Sequence, residues 1–191
     1  LSVDLTMPKL VPTLLNETGM LAKDQARLAR ALDRKDAVAV AERGGALAAT
    51  LTDLLLAAGP ADRALAALRA AALTPGARAH AERLALTVAA IHATAPGLKL
   101  TVDPVEFRGL RYHTGVCMTL YAPGRHEELG RGGRYICGES EPATGLTLYP
   151  DAVLRAVPAR QARPRAYLPY GATLAQAALL RNQGFATVAA L

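Results

Sequence analysis

The chain has 191 residues, 51% of them hydrophobic, which suits one globular domain with a small appendage. The formal net charge is +6, but the basic residues are spread over both halves of the chain, and no dense block predicts nucleic-acid binding. No apolar run is long enough to span a membrane, because Asp53 interrupts the best candidate.

The two cysteines, Cys117 and Cys137, are too few and too far apart to predict a zinc site. Both fall in predicted strands, so we expect buried free thiols in a reducing compartment. No signal peptide is apparent at the start of the chain, and the predicted location is therefore the cytoplasm.

The first 20 residues predict a strand at 1–5 and then a helix that ends near Asn16. Thr6 is the expected N-cap, and Gly19 is expected to close the helix. A helical block follows, with predicted helices at 21–34, 36–43, 46–58, 60–73 and 76–95, separated by glycines and prolines. Two apolar stripes are expected to pack in its core, Leu47, Leu51, Leu54 and Leu55, and Leu84, Val88 and Ile91.

The pattern changes after Pro96-Gly97, where short alternating runs predict strands at 98–103, 112–121, 130–136 and 143–149. A helix is predicted at 151–157. Residues 159–165 have the composition of a linker. The end of the chain predicts a strand at 166–169, a helix at 173–182 and a strand at 185–191, a unit too small to fold alone.

Glycines and arginines mark the strands of this second half as the candidate site. Gly130, Gly132 and Gly133 leave one side of a strand bare, which makes room for either a ligand or a neighbouring strand. The arginines are expected to surround this space and to suit a carboxylate or a phosphate; they are Arg108, Arg111, Arg131 and Arg134.

Three ordered motifs in this region resemble those of class II histidyl-tRNA synthetases. Residues 108–115, Arg-Gly-Leu-Arg-Tyr-His-Thr-Gly, resemble the histidine-recognition motif; residues 129–135 resemble the glycine-rich motif; and residues 142–146 resemble the strand that opens class II motif 3. The resemblance implies an α+β fold, a partial class II aminoacyl-tRNA synthetase-like antiparallel sheet with an inserted helical bundle. Residues 1–20 and 98–158 would form the sheet domain, 21–97 the insertion, and 159–191 the linker and the small terminal unit.

The sequence departs from the synthetase pattern at positions that matter for catalysis. Where the family has Gly-Leu-Glu-Arg, this chain has Tyr149, Pro150, Asp151 and Ala152, so the arginine that binds ATP is replaced by Ala152. A chain that lacks this arginine resembles the synthetase paralogues that serve as regulatory subunits of ATP phosphoribosyltransferase, the first enzyme of histidine biosynthesis. Because Leu1 is not an initiator methionine, we expect the C-terminal portion of a longer protein.

The resemblance also implies a histidine-like pocket and no catalytic residue, metal or cofactor. Its predicted residues are Arg108, Arg111, Tyr112, His113, Gly132, Gly133 and Tyr135. The alternatives are a surface salt bridge from Arg108 to Glu106 or Asp103, tyrosines that only pack at the sheet rim, and a His113 that is simply a strand residue. Arg111 replaces the family aspartate, so charge repulsion predicts that free histidine binds no more tightly than about 1 mM.

Partners follow from the same resemblance. The expected partner is the catalytic subunit of ATP phosphoribosyltransferase, with histidine as a candidate ligand and a homodimer of the full-length protein. The synthetases carry a full anticodon-binding domain where this chain has a small terminal unit, and this difference argues against tRNA as a partner. The alternative is a fragment of a histidyl-tRNA synthetase-like ligase, which an intact motif 2 arginine upstream or histidine-dependent pyrophosphate exchange would support.

Overall fold

The computed structural model describes residues 1–107, 112–158 and 161–189, and Arg108 and Arg111 therefore lie outside the described residues. The chain divides into two compact units, Leu1–Ala156 and Val157–Leu191. None of the described helices is both long and apolar enough to cross a membrane.

The first unit alternates a helical block with a sheet, as the sequence predicts. Its strands are β1 (Ser2–Thr6), β2 (Gly59–Pro60), β3 (Lys99–Asp103), β4 (His113–Tyr121), β5 (Glu128–Cys137) and β6 (Glu141–Leu148). Its helices are α1 (Leu10–Glu17), α2 (Ala22–Asp33), α3 (Ala37–Arg43), α4 (Ala48–Leu56), α5 (Ala61–Ala70), α6 (Pro75–Thr94) and α7 (Pro150–Ala156). A short 3-10 turn, Gly45–Leu47, precedes α4.

The six strands form one sheet in the order β2-β3-β1-β4-β5-β6. β1 is parallel to β3 and antiparallel to β4, and every other pairing is antiparallel. Strand β1, at the start of the chain, thus lies between strands that follow the helical block. The mostly antiparallel sheet with its inserted helices confirms the predicted α+β class.

Alternate residues of each strand face opposite sides of the sheet, because side chains in a strand alternate with a period of two. We call the side that Leu5 faces the back face, and the side that Asp4 faces the front face. The back face packs against the helical block. Leu5 of β1, Val102 of β3 and Leu14 of α1 are all fully buried there. The predicted stripes are confirmed as core residues, since six of the seven belong to this hydrophobic cluster and Ile91, which is partly buried, packs against it.

The predicted start of the first helix is wrong. Thr6 is the last residue of β1, pairs with Cys117 of β4 and is buried, whereas α1 begins at Leu10 after Lys9, whose side chain makes no capping hydrogen bond. The alternation that predicts the strand continues one residue further than expected, so the backbone of Thr6 pairs within the sheet and its buried hydroxyl caps no helix. Gly19, with a φ of 69°, follows the helix as expected.

The second unit is small. It contains β7 (Arg165–Leu168), α8 (Leu174–Asn182) and β8 (Ala186–Ala189), and the two strands are parallel. Thr173 and Gln176 form a capping box at the start of α8. Ala177 is the only buried residue among residues 157–158 and 161–189 of this unit.

Candidate functional site

Three aromatic rings meet at one end of the front face. His113 of β4 pairs with Tyr135 of β5, and Tyr112 precedes β4. The ring centroids of Tyr112 and His113 are 3.8 Å apart, and those of Tyr112 and Tyr135 are 5.9 Å apart in an edge-to-face arrangement. His113 is buried, whereas Tyr112 is 64% exposed. The structure therefore brings together three of the predicted pocket residues, with a buried imidazole beneath an exposed phenol.

The glycines of β5 have two different roles. A side chain at Gly132 would collide with the backbone of Gly145 and Leu146 in β6, so the neighbouring strand occupies the space that this glycine leaves. A Cβ at Gly133 would lie 2.7 Å from Cδ2 of His113 and 2.9 Å from Sγ of Cys117. Glycine at 133 thus lets the side chains of His113 and Cys117 lie across β5 on the front face.

The predicted arginines do not share one space. Arg131 lies on the front face and forms a two-pronged ion pair with Glu128, at 2.5 and 2.9 Å. Arg134 lies on the back face, where its Nη1 donates a 3.2 Å hydrogen bond to Thr144. The expectation that these two surround a single site is therefore wrong, because an odd separation within a strand places side chains on opposite faces.

The acids proposed as alternative partners of Arg108 have another cation beside them. Lys35, at the junction of α2 and α3, places its Nζ 2.6 Å from Asp103 and 3.7 Å from Glu106. The other oxygen of Asp103 accepts a hydrogen bond from the backbone of Val105. This cluster ties the helical block to the turn that follows β3.

Cys117 is unsuited to nucleophilic chemistry. Burial raises the pKa of its thiol to about 12, so the reactive thiolate is scarce at neutral pH. The prediction of burial holds for Cys117 but is wrong for Cys137, which is exposed at the end of β5 next to the hairpin turn. Both cysteines are free.

Helix α7 carries Ala152, which the resemblance predicts to replace the ATP arginine of the synthetases. Ala152 is 3% exposed where α7 contacts β5. Arg155, on the same helix, pairs with Glu127 at 2.8 Å and with Asp151 at 3.0 Å. Hydrogen bonds from this guanidinium lower the pKa of both carboxyl groups. Arg155 of α7 is therefore neutralised by Asp151 of the same helix and by Glu127.

Sequence reasoning missed one polar cluster on the front face. The hydroxyl of Thr101 in β3 donates a 2.6 Å hydrogen bond to the carboxylate of Asp4 in β1. Burial raises the pKa of Asp4, helped by the charges of Asp103 and Glu106 and opposed by that hydrogen bond and by Lys35. The two residues are distant in sequence, and only the parallel pairing of β1 with β3 brings them together.

Comparison with known proteins places this geometry in a family. A family model described as Histidyl-tRNA synthetase matches residues 1–153. The ATP phosphoribosyltransferase regulatory subunit of Gluconobacter oxydans is 51% identical over the whole of this chain, which covers 50% of that protein. The chain thus spans about half the length of the curated relatives it matches.

Solved structures show the same fold. A Bacillus halodurans protein described as an ATP phosphoribosyltransferase regulatory subunit/histidyl-tRNA synthetase superposes with a TM-score of 0.71 at 20% identity, over 98% of this chain and 53% of that one. An ATP phosphoribosyl transferase complex from Thermotoga maritima superposes with a TM-score of 0.59 at 16% identity, over 77% of this chain and 52% of the matched chain.

Proposed function

We propose a regulatory function for this chain, which belongs to the histidyl-tRNA synthetase family. In this proposal it is a non-catalytic module of an ATP phosphoribosyltransferase regulatory subunit, acts in the cytoplasm in histidine biosynthesis, and binds the catalytic subunit. The 51% identical relative carries the name of that regulatory subunit, and a structure with the same fold comes from a complex of that enzyme.

The observation that carries the non-catalytic part of the proposal is Ala152. By resemblance its position is that of the motif 3 arginine, and its methyl group is buried against β5. A preorganised charge that stabilises a transition state is typically worth about 100- to 1,000-fold in rate. Without it, α7 offers no guanidinium at this position to hold ATP phosphates, and Arg155 is already paired with Glu127 and Asp151.

The finer proposal is that the pocket takes part in histidine feedback. Arg108, Arg111, Tyr112, His113, Gly133 and Tyr135 would border the ligand. Gly132, which the sequence also predicts for the pocket, faces the other side, where β6 fills the space beside it. The packed rings of Tyr112, His113 and Tyr135 support this, because aromatic edges and faces suit a flat imidazole. If histidine changes assembly with the catalytic subunit, assembly must change histidine affinity by the same factor.

The test uses the full-length protein and the catalytic subunit of the same organism. We expect the two to co-purify at micromolar concentrations and the complex to be inhibited by histidine. We also expect the full-length protein to show no histidine-dependent pyrophosphate exchange with ATP. Absence of a complex, or measurable exchange, would contradict the regulatory function and favour a histidyl-tRNA synthetase-like ligase.

Two variants on adjacent residues separate the pocket from general damage. Tyr135→Leu removes a ring of the front-face cluster, and Ile136→Thr changes the next residue of β5, which faces the opposite side and is 42% exposed. We expect Tyr135→Leu to weaken inhibition by histidine about tenfold, equivalent to roughly 1.4 kcal/mol. Ile136→Thr should leave it unchanged. Equal effects of the two variants would place the histidine site elsewhere.

A further inference from the structure

A groove lies on the back face of the sheet, on the side opposite to the side chains of His113 and Tyr135. It has a volume of about 520 Å³ and lies between α6 and strands β4 to β6. The residues that line it are Arg83, Thr87, Thr114, Gly115, Val116, Met118, Arg134 and Thr144. Among these described residues there are two guanidinium groups and three hydroxyl groups but no carboxylate.

The two arginines of the groove differ in their pairing from Arg131 and Arg155. In the ranges that the structure describes, neither Arg83 nor Arg134 has an ion-pair partner, in contrast to Arg131 and Arg155 on the same unit. Arg83 projects from α6, and its charge lowers the pKa of His80 one turn earlier, in addition to the larger effect of burial. An uncompensated positive charge thus acts on its neighbours from this side of the groove.

The local packing holds Arg134 in place. A Cβ at Gly115 of β4 would lie 2.9 Å from Cβ and 3.1 Å from Cγ of Arg134, so glycine at 115 lets the stem of this arginine cross β4. The head of Arg134 donates a hydrogen bond to Thr144 at 3.2 Å. The guanidinium is therefore oriented by the sheet, with further donors free for a ligand.

We propose that this back-face groove binds a phosphoryl group, either inorganic phosphate or the phosphate of a small metabolite, between Arg83 and Arg134. Guanidinium groups match the oxygens of a phosphate. The hydroxyls of Thr114 and Thr144 supply neutral donors, whereas the hydroxyl of Thr87 already donates to the carbonyl oxygen of Arg83. Val116 and Met118 add an apolar floor that inorganic phosphate does not need but a sugar phosphate can cover. The proposal is independent of the histidine pocket, since the two sites lie on opposite faces of the sheet.

The experiment is calorimetric titration of the full-length protein with inorganic phosphate and with ribose 5-phosphate, at constant ionic strength maintained with chloride. We expect submillimolar binding of at least one probe. Arg83→Gln and Arg134→Gln should each weaken it about tenfold or more, because a hydrogen bond to a charged group contributes about 1.5–3 kcal/mol. Tighter binding of ribose 5-phosphate would identify a metabolite phosphate as the source of the phosphoryl group, and equal binding would identify inorganic phosphate.

The matched control is Arg30→Gln, which removes the same charge. Arg30 is an exposed residue of α2 and does not line the groove. It should bind the probes as the unmodified protein does. An equal loss in all three variants would show that only net charge matters and would overturn the proposal. Absence of binding of either probe to the unmodified protein at about 10 mM would also overturn it.

His80 provides an independent readout of the position of the ligand. Its pKa is set by burial, by Arg83 and Lys9, which lower it, and by Glu17, which raises it. A bound phosphate beside Arg83 should therefore raise the pKa of His80, followed by NMR of its imidazole. Phosphate binding that leaves the titration of His80 unchanged would place the ligand away from this groove and contradict the assignment.

Discussion

The two faces of the six-stranded sheet are built from alternate residues of the same strands, yet they differ in what they bury. On β1, Leu5 of the back face is fully buried among helices. The carboxylate of the adjacent Asp4, on the front face, accepts a hydrogen bond from the hydroxyl of Thr101. On β4, Val116 faces the back and His113 the front. One strand thus contributes to the core with one set of residues and to polar clusters with the other.

This difference separates stability from candidate function. The back face of β1 and β3 is covered by leucines from the helical block, and burial of apolar side chains is the main stabilising contribution to folding. The front face carries rings, hydroxyl groups and charges that a core does not require. At β5 and β6 the back face carries the exposed apolar side chains of Ile136, Leu146 and Leu148. Arg134 and Thr144 add polar groups to this face, and the Arg83–Arg134 groove lies there, against α6.

The largest expected effect is at Leu5. Leu5→Ala leaves a cavity between β1 and the helices and should lower the free energy of unfolding by about 2–5 kcal/mol. Asp4→Asn, one residue away on the front face, should not lower it at neutral pH. Urea denaturation of both variants checks the comparison. Equal destabilisation would show that both faces contribute equally to the free energy of unfolding.

A smaller loss is expected at Gly133. Its Cβ in Gly133→Ala would press on His113, on Cys117 and on the carbonyl oxygen of Val116, at 2.7 to 2.9 Å. Overpacking of this kind typically costs about 1–3 kcal/mol, and here it should also displace His113. We expect a lower thermal midpoint and altered imidazole resonances of His113.

The control for this substitution is Gly97→Ala, where no atom lies within 4 Å of the added Cβ. It should leave both the thermal midpoint and the resonances of His113 nearly unchanged. If Gly133→Ala were as well tolerated, the close packing of His113 and Cys117 across β5 would not constrain this part of the site.

Local patterns were sufficient to predict most of the elements but not their neighbours. Glycine and proline breaks gave the helices of the insertion, and alternation gave β4, because these signals act over a few residues. The parallel pairing of β1 with β3 joins segments on either side of the helical block, and no local signal reports it. For the same reason the contact of Asp4 with Thr101 was missed.

The candidate site shows the same limit. Its aromatic residues were found because they lie in two short contiguous motifs, and β4 and β5 do bring Tyr112, His113 and Tyr135 together. The assignment of Arg131 and Arg134 to a single space failed because composition does not assign a face, whereas the register of β5 does. Cys137 was predicted as buried because the strand pattern does not show where the hairpin leaves the core.

The last prediction concerns the pH dependence of the front face. Burial, with smaller contributions from Asp103 and Glu106, raises the pKa of Asp4 above its usual 3.8, although Thr101 and Lys35 oppose this. The folded state therefore binds the Asp4 proton more tightly than the unfolded state, and ionisation of Asp4 lowers stability as the pH rises from about 3.8 through the folded-state pKa. Asp4→Asn cannot ionise, so at pH 7 it should be slightly more stable than the unmodified protein, and this advantage should disappear below pH 3.8. Urea denaturation at several pH values tests this. A less stable Asp4→Asn at pH 7 would show that the carboxylate gains more from Thr101 and Lys35 than its burial costs.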